Sequence, residues 1–128
     1  MGAMKRSIAV AVSIAAISVA NASTAFAHAE FIGSNPKANS TVKSFPATIW
    51  AEFGEKLMVI GDKNPNSISV TDSNKLKVNF GQALISDARI STKLKTGLSS
   101  GKYLVSYRIV SEDGHIVNGK FTFTYKPS

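Results

Sequence analysis

The stretch Gly101-Lys102-Tyr103-Leu104-Val105-Ser106-Tyr107-Arg108-Ile109-Val110-Ser111-Glu112-Asp113-Gly114-His115 decides the fold. In its first ten residues Tyr103, Val105, Tyr107 and Ile109 fall on one face of an extended chain, and Leu104 and Val110 on the other. A strand apolar on both faces belongs at the centre of a sheet. Beyond Asp113-Gly114-His115 the chain returns with Phe121, Phe123 and Tyr125 at the same two-residue spacing.

Outward from this pair, the chain reads as more short strands. Ile49, Ala51 and Phe53 alternate on one face, with Trp50 on the other. Ile68 and Val70 precede the turn Asp72-Ser73-Asn74, and Leu76, Val78 and Phe80 follow it, a hairpin pattern. Ile90 and Leu94 suggest another strand, ended by the turn Ser99-Ser100-Gly101. Ser34-Asn35-Pro36 and Asn39-Ser40 form an early turn-rich stretch, and Gly54 to Asn66 reads as a long loop rich in Gly, Asp, Asn and Pro. Helical periodicity is nowhere sustained. The expectation is an all-β Greek-key barrel or Ig-like sandwich, with Trp50, Tyr103, Tyr107, Phe121 and Phe123 in its core.

Ahead of these strands lie the basic pair Lys5-Arg6, an apolar run from Ile8 to Ala20, and Ala25-Phe26-Ala27, which has the small-x-small form of a signal-peptidase site. The run is too short for a stable membrane span. Residues 1–27 are therefore read as a signal peptide cleaved after Ala27, with Met1-Gly2-Ala3-Met4 an addition before a natural start at Met4. Residues 28–128 form one exported domain, expected as a monomer, and His28 becomes its first residue. The domain carries thirteen basic side chains against eight acids, but its lysines are scattered singly. A mildly basic, soluble surface fits this better than a nucleic-acid partner. There is no cysteine, so disulfides and thiolate metal sites are excluded.

Only two histidines occur, His28 and His115. An N-terminal histidine can close a chelate ring with its α-amine and ring Nδ1. Asp113 and His115, two residues apart at a strand end, point to the same side with roughly 6.5–7 Å between their Cα atoms. A carboxylate oxygen and an imidazole nitrogen at that spacing can converge on one ion, and Gly114 permits the bend between them. Taken alone, Asp-Gly-His is also an ordinary turn, and His28 an ordinary solvated terminus. Taken together, the amine, two imidazoles and a carboxylate make a three-nitrogen, one-oxygen set suited to tetragonal Cu(II). Cu(I) prefers thioethers and thiolates, and the domain has one methionine, Met58. Glu55 and Glu52 are candidates to hydrogen-bond a ligand or a metal-bound water, with exposed strand-end charges as the plain alternative. Glu30, two residues after His28, is equally ambiguous.

These residues resemble the copper-binding proteins of the CopC/PcoC type. The similarity runs from His28 to about Tyr125. It is carried by the leader ending before a histidine, by Ser34-Asn35-Pro36, by PATIWAEFGEKL from Pro46 to Leu57, by GKYLVSYRIVSEDGH, and by Val117-Asn118-Gly119-Lys120-Phe121. The resemblance implies a cupredoxin-like Greek-key barrel, Cu(2+) held by the His28 amine and ring with Asp113 and His115, and Glu55 at an acidic position near the site. It further implies copper resistance or carriage in the periplasm, and delivery to an inner-membrane partner of the CopD type. Tyr107 stands where tryptophan is common, and the methionine-rich Cu(I) segment of some members is missing, so a Cu(II)-only member is expected.

Two rival functions are a copper oxidase with a histidine-brace site and a metal-free Ig-like structural domain. Against the oxidase stand the small domain, an Asp113 that would fill the position O₂ needs, and the lack of an evident aromatic platform for a sugar chain. No Ser-His-Asp order, catalytic carboxylate pair or phosphate-cradling glycine loop stands out, so no enzyme activity is expected.

Overall fold

A computed structural model describes residues 29–128. They form eight strands: β1 (Phe31–Asn35), β2 (Thr41–Val42), β3 (Thr48–Phe53), β4 (Ser67–Thr71), β5 (Asn79–Ser86), β6 (Arg89–Leu94), β7 (Gly101–Val110) and β8 (Ile116–Tyr125). Two four-stranded sheets result, one in the order β1-β3-β6-β5 and the other β2-β8-β7-β4. Every pairing is antiparallel except β2 with β8. Such crossing between two packed sheets is the all-β Greek-key arrangement that the alternation predicts.

Strand β7 is central, flanked by β8 and β4. Its inward residues Tyr103, Val105 and Ile109 are buried, and Phe121 and Phe123 of β8 meet them from the neighbouring strand. From the opposite sheet come Ile49, Ala51 and Phe53 of β3 and Ile90 and Leu94 of β6. Each of these larger side chains contributes roughly 1.5–3 kcal/mol by leaving water. Tyr107 is only half-buried; its ring lies over Gly119, its cross-strand partner, where a Cβ would overlap the ring. Phe31 stacks on Tyr107 with centroids 6.0 Å apart and closes the core at that end.

Three expectations need correction. The hairpin around Asp72-Ser73-Asn74 closes only at its turn, through the Thr71–Lys77 bridge and the Val78 N–H donating to the Val70 carbonyl at 2.8 Å. Beyond that point the chain changes sheets, so β4 pairs with β7 and β5 with β6. The buried Asn79 side chain replaces the missing ladder. Its Oδ1 accepts from Val70 N at 3.0 Å, and its Nδ2 donates to Ile68 O at 3.1 Å and Thr92 Oγ1 at 3.0 Å. Trp50 is not a core residue: it faces out of its sheet, with the Arg89 guanidinium 3.6 Å from its ring centre. The alternation that buries Ile49, Ala51 and Phe53 forces this placement. Ser34 and Asn35, read as part of a turn, lie in β1, and the bend follows them. The loop from Gly54 to Asn66 is as expected, with only isolated bridges.

Candidate metal centre

Strand β7 ends at Val110 and β8 starts at Ile116, opposite each other in register. The five residues between them form a closed turn. Ser111 N–H donates to the His115 carbonyl at 2.9 Å, and Gly114 N–H donates to the Ser111 carbonyl at 2.8 Å. Gly114 has φ +92°, a left-handed conformation that a side chain resists, which is the physical reason for glycine between the two polar residues.

Within the turn the Asp113 carboxylate collects three donors on one oxygen. The Ser111 hydroxyl donates to Oδ1. His115 N–H donates at 3.3 Å, and His115 Nδ1 lies 3.0 Å away. These hydrogen bonds, that of Ser111 first, hold the carboxyl well below its usual range, because each favours the ionised form. Ser111 is fully buried, whereas the side chains of Asp113 and His115 are 31% and 60% exposed. A buried hydroxyl thus orients an exposed carboxylate, which in turn orients an exposed imidazole. Ser111 is the residue that sequence reasoning passed over. Its two-residue spacing from Asp113 was the available signal.

The loop after β3 anchors this turn from the opposite sheet. Leu57 bridges to Ser111, Met58 N–H donates to the Val110 carbonyl at 2.8 Å, and Glu112 N–H donates to the Lys56 carbonyl at 2.9 Å. Asn66 ties the far side of the same loop to β7: its Oδ1 accepts from Val110 N at 2.7 Å and its Nδ2 donates to Met58 O at 2.8 Å.

The structure brings Asp113 and His115 together. His28 lies outside the described residues. Its chain neighbour Ala29 is fully buried, and the Glu30 carbonyl accepts from Gly54 N–H at 2.8 Å, so the described chain begins at the end of the sandwich that carries the turn. Glu55 sits half-buried in the loop that holds the turn, two residues before Leu57. Glu52 does not join the turn: on the outer face of β3 it takes Arg89 Nη2 at 2.7 Å and Nε at 2.9 Å. Among the described residues no cluster of three or more His, Cys, Asp or Glu is suited to a metal.

The CopC domain family model matches residues 31–126. Copper resistance protein C of Xanthomonas campestris pv. juglandis is 38% identical over 94% of this chain and 97% of its own. Copper transport protein CutJ of Bacillus subtilis (strain 168) is 34% identical over 79% of this chain, a match that spans 18% of CutJ. Among solved structures, CopC from Methylosinus trichosporium OB3b superposes with a TM-score of 0.63 at 31% identity, over 77% of this chain and 94% of that one. PcoC, a methionine-rich copper resistance protein from Escherichia coli, superposes with a TM-score of 0.66 at 28% identity, over 78% of this chain and all of its own.

Proposed function

The chain belongs to the CopC family of copper-binding proteins, and from that premise we propose that it holds one Cu(II) ion through the His28 amine and ring, Asp113 and His115. The family's members are copper-binding and transport proteins and not enzymes, so the oxidase reading falls away. Copper is the cargo of this domain. The observation that carries the proposal is the 3.0 Å separation of Asp113 Oδ1 and His115 Nδ1. Two donors each about 2.0–2.1 Å from an ion, in neighbouring positions of a tetragonal site, stand roughly 2.9 Å apart. An ion bound by both takes the place of the proton between them, and the carboxylate is already ionised to receive it.

The remaining donors come from the N-terminus. The burial of Ala29 and the Glu30–Gly54 bond support a terminus at the correct end. A free α-amine has a reference pKa of about 7.7–8.0, so it must lose its proton to bind, and affinity rises with pH. On this reading the chain is exported, cleaved after Ala27, and acts as a periplasmic monomer in copper resistance. It passes copper to a membrane partner of the CopD type. CutJ, a copper transport protein with a segment like this one inside a much longer chain, supports such a pairing.

Electron paramagnetic resonance of Cu(II) added to two proteins, one starting at His28 and one at Met1, tests the ligand set. A tight three-nitrogen signal at one equivalent is expected only from the first. Equal, tight binding by both would remove the requirement for a free amine.

A further inference from the structure

The lysines that stand singly along the sequence are gathered by the fold. Lys75 and Lys77 lie on the β4–β5 connection, Lys93 and Lys95 at the end of β6, and Lys102 at the start of β7. Lys37 and Lys43 flank β2, and Lys126 follows β8. All eight are exposed and all lie at the end of the sandwich away from the Asp113 turn. One acid, Asp72, shares that end, and its carboxylate is turned into its own loop, accepting from Asn74 N–H at 2.8 Å and Leu76 N–H at 3.0 Å. The metal end and the loop that holds it have the opposite character, with Glu30, Glu52, Glu55, Asp62, Asp87, Glu112 and Asp113 against Lys56, Lys63, Arg89 and Arg108. The ten residues of β7 separate the two ends by roughly 33 Å. That is several Debye lengths at physiological salt, so the acids of one end do not cancel the lysines of the other.

The lysine end also carries exposed apolar side chains. Leu76, at the tip of the β4–β5 turn between Lys75 and Lys77, is 63% exposed. Phe80, beside Lys93 in the sheet, is 47% exposed. The tip is rigid: Asp72 N–H donates to the Leu76 carbonyl at 3.0 Å, and Lys75 N–H donates to the Asp72 carbonyl at 3.0 Å. A leucine held out between two lysines costs free energy in water and gains it at a boundary that is anionic outside and apolar beneath.

We infer that this end is a docking surface for an anionic lipid bilayer. The choice of cation favours lipid over an acidic protein. Every basic residue at this end is lysine, a point charge on a flexible stem, which suits mobile headgroups; protein interfaces are depleted in lysine and favour the arginine fork. Docked this way, the domain turns its acidic metal end outward, both because the lysines are attracted and because the acids are repelled, so that loading with copper takes place docked and delivery to a membrane partner follows release from the bilayer. It then gathers copper cations from the aqueous side rather than from the bilayer.

Vesicle sedimentation tests the inference without copper, so its result is separate from that of the ligand assignment. The chain from His28 is the one to use. All eight strands lie within residues 29–128, and the solved PcoC chain is covered over its whole length by 78% of this one, so a chain of that extent folds alone. Vesicles of phosphatidylglycerol and phosphatidylcholine mixed one to two should bind it, and phosphatidylcholine alone should not. Each lysine at the surface is worth roughly fivefold in partition, so Lys75→Gln/Lys77→Gln should lose about 25-fold. Arg108→Gln/Lys120→Gln, the same change in net charge on β7 and β8 away from the lysine end, should lose under about threefold. Leu76→Ser, with no change in charge, should lose roughly tenfold. Equal losses from the two double variants would overturn the assignment to this end. Absence of binding to anionic vesicles would overturn the inference and leave an acidic protein as the occupant.

Discussion

At its Ser111 end β7 runs into a turn whose carboxylate gathers three donors, while at its Gly101 end it emerges among lysines and an exposed leucine. Both ends are stapled in the same way. Where a strand ladder is missing, a buried asparagine bonds the backbone instead: Asn66 holds Val110 and Met58 beside the Asp113 turn, and Asn79 holds Val70 and Ile68 beside the lysine turn. The comparison teaches that the scaffold is neutral about function. What differs is the chemistry that each rigid turn displays.

The largest expected effect tests that separation. Asn66→Ala and Asn79→Ala each leave two backbone groups without their side-chain partners, a cost of about 3 kcal/mol, read as equal losses in urea unfolding. Only Asn66→Ala should also weaken copper binding, by about tenfold, because Val110 adjoins Ser111. If Asn79→Ala weakened copper as much, the two ends would be coupled through the sheets and the comparison would break.

Next in size is His115→Ala, which removes a nitrogen from the proposed ligand set and should weaken Cu(II) binding by at least about 100-fold. Because the side chain is 60% exposed, the thermal midpoint should hold. Ser111→Ala is smaller in copper affinity, about tenfold, since it leaves all donors present but loosens the carboxylate. It differs from His115→Ala in kind, because it removes a fully buried hydroxyl and should lower the thermal midpoint as well. Isothermal titration with calorimetric melting separates the two. A Ser111→Ala protein with unaltered affinity would show that the hydroxyl orients nothing the ion uses.

How much of this was legible in the sequence follows from range. The β7–β8 pair was legible because its partners are close in sequence and its alternation is long. The change of sheets after Thr71 was not, since a tight turn between two alternating runs looks the same whether or not the strands stay paired, and only the Asn79 side chain marks the break. Trp50 looked like core by residue type, although its own strand parity with Ile49 and Ala51 already placed it outside. Asp113 and His115 were readable from their spacing; the role of Ser111 was not, because its burial depends on Leu57 crossing from the other sheet. The lysine end left no trace at all in a linear reading. Its members come from four connections, the ends of β6 and β7 and the tail after β8, and only the closure of the sandwich makes them neighbours.

The smallest effect concerns acid, and its sign follows from the turn. The carboxyl of Asp113 is held below its usual value by Ser111 and His115. A group depressed in this way contributes stability that is fully present above its unfolded pKa, about 3.9, and is lost as pH falls through the lower folded value. Between pH 5 and 8 the Asp113 contribution should therefore be flat. A rise in copper affinity across that range would therefore not come from the carboxylate. The side-chain carbon resonance of Asp113 checks this: it should keep its carboxylate position down to pH 3 in the native protein, and in Ser111→Ala its midpoint should move up. A native midpoint at or above about 3.9 would mean that the buried hydroxyl does not hold the charge, and the metal end would lose the feature that most distinguishes it from the other.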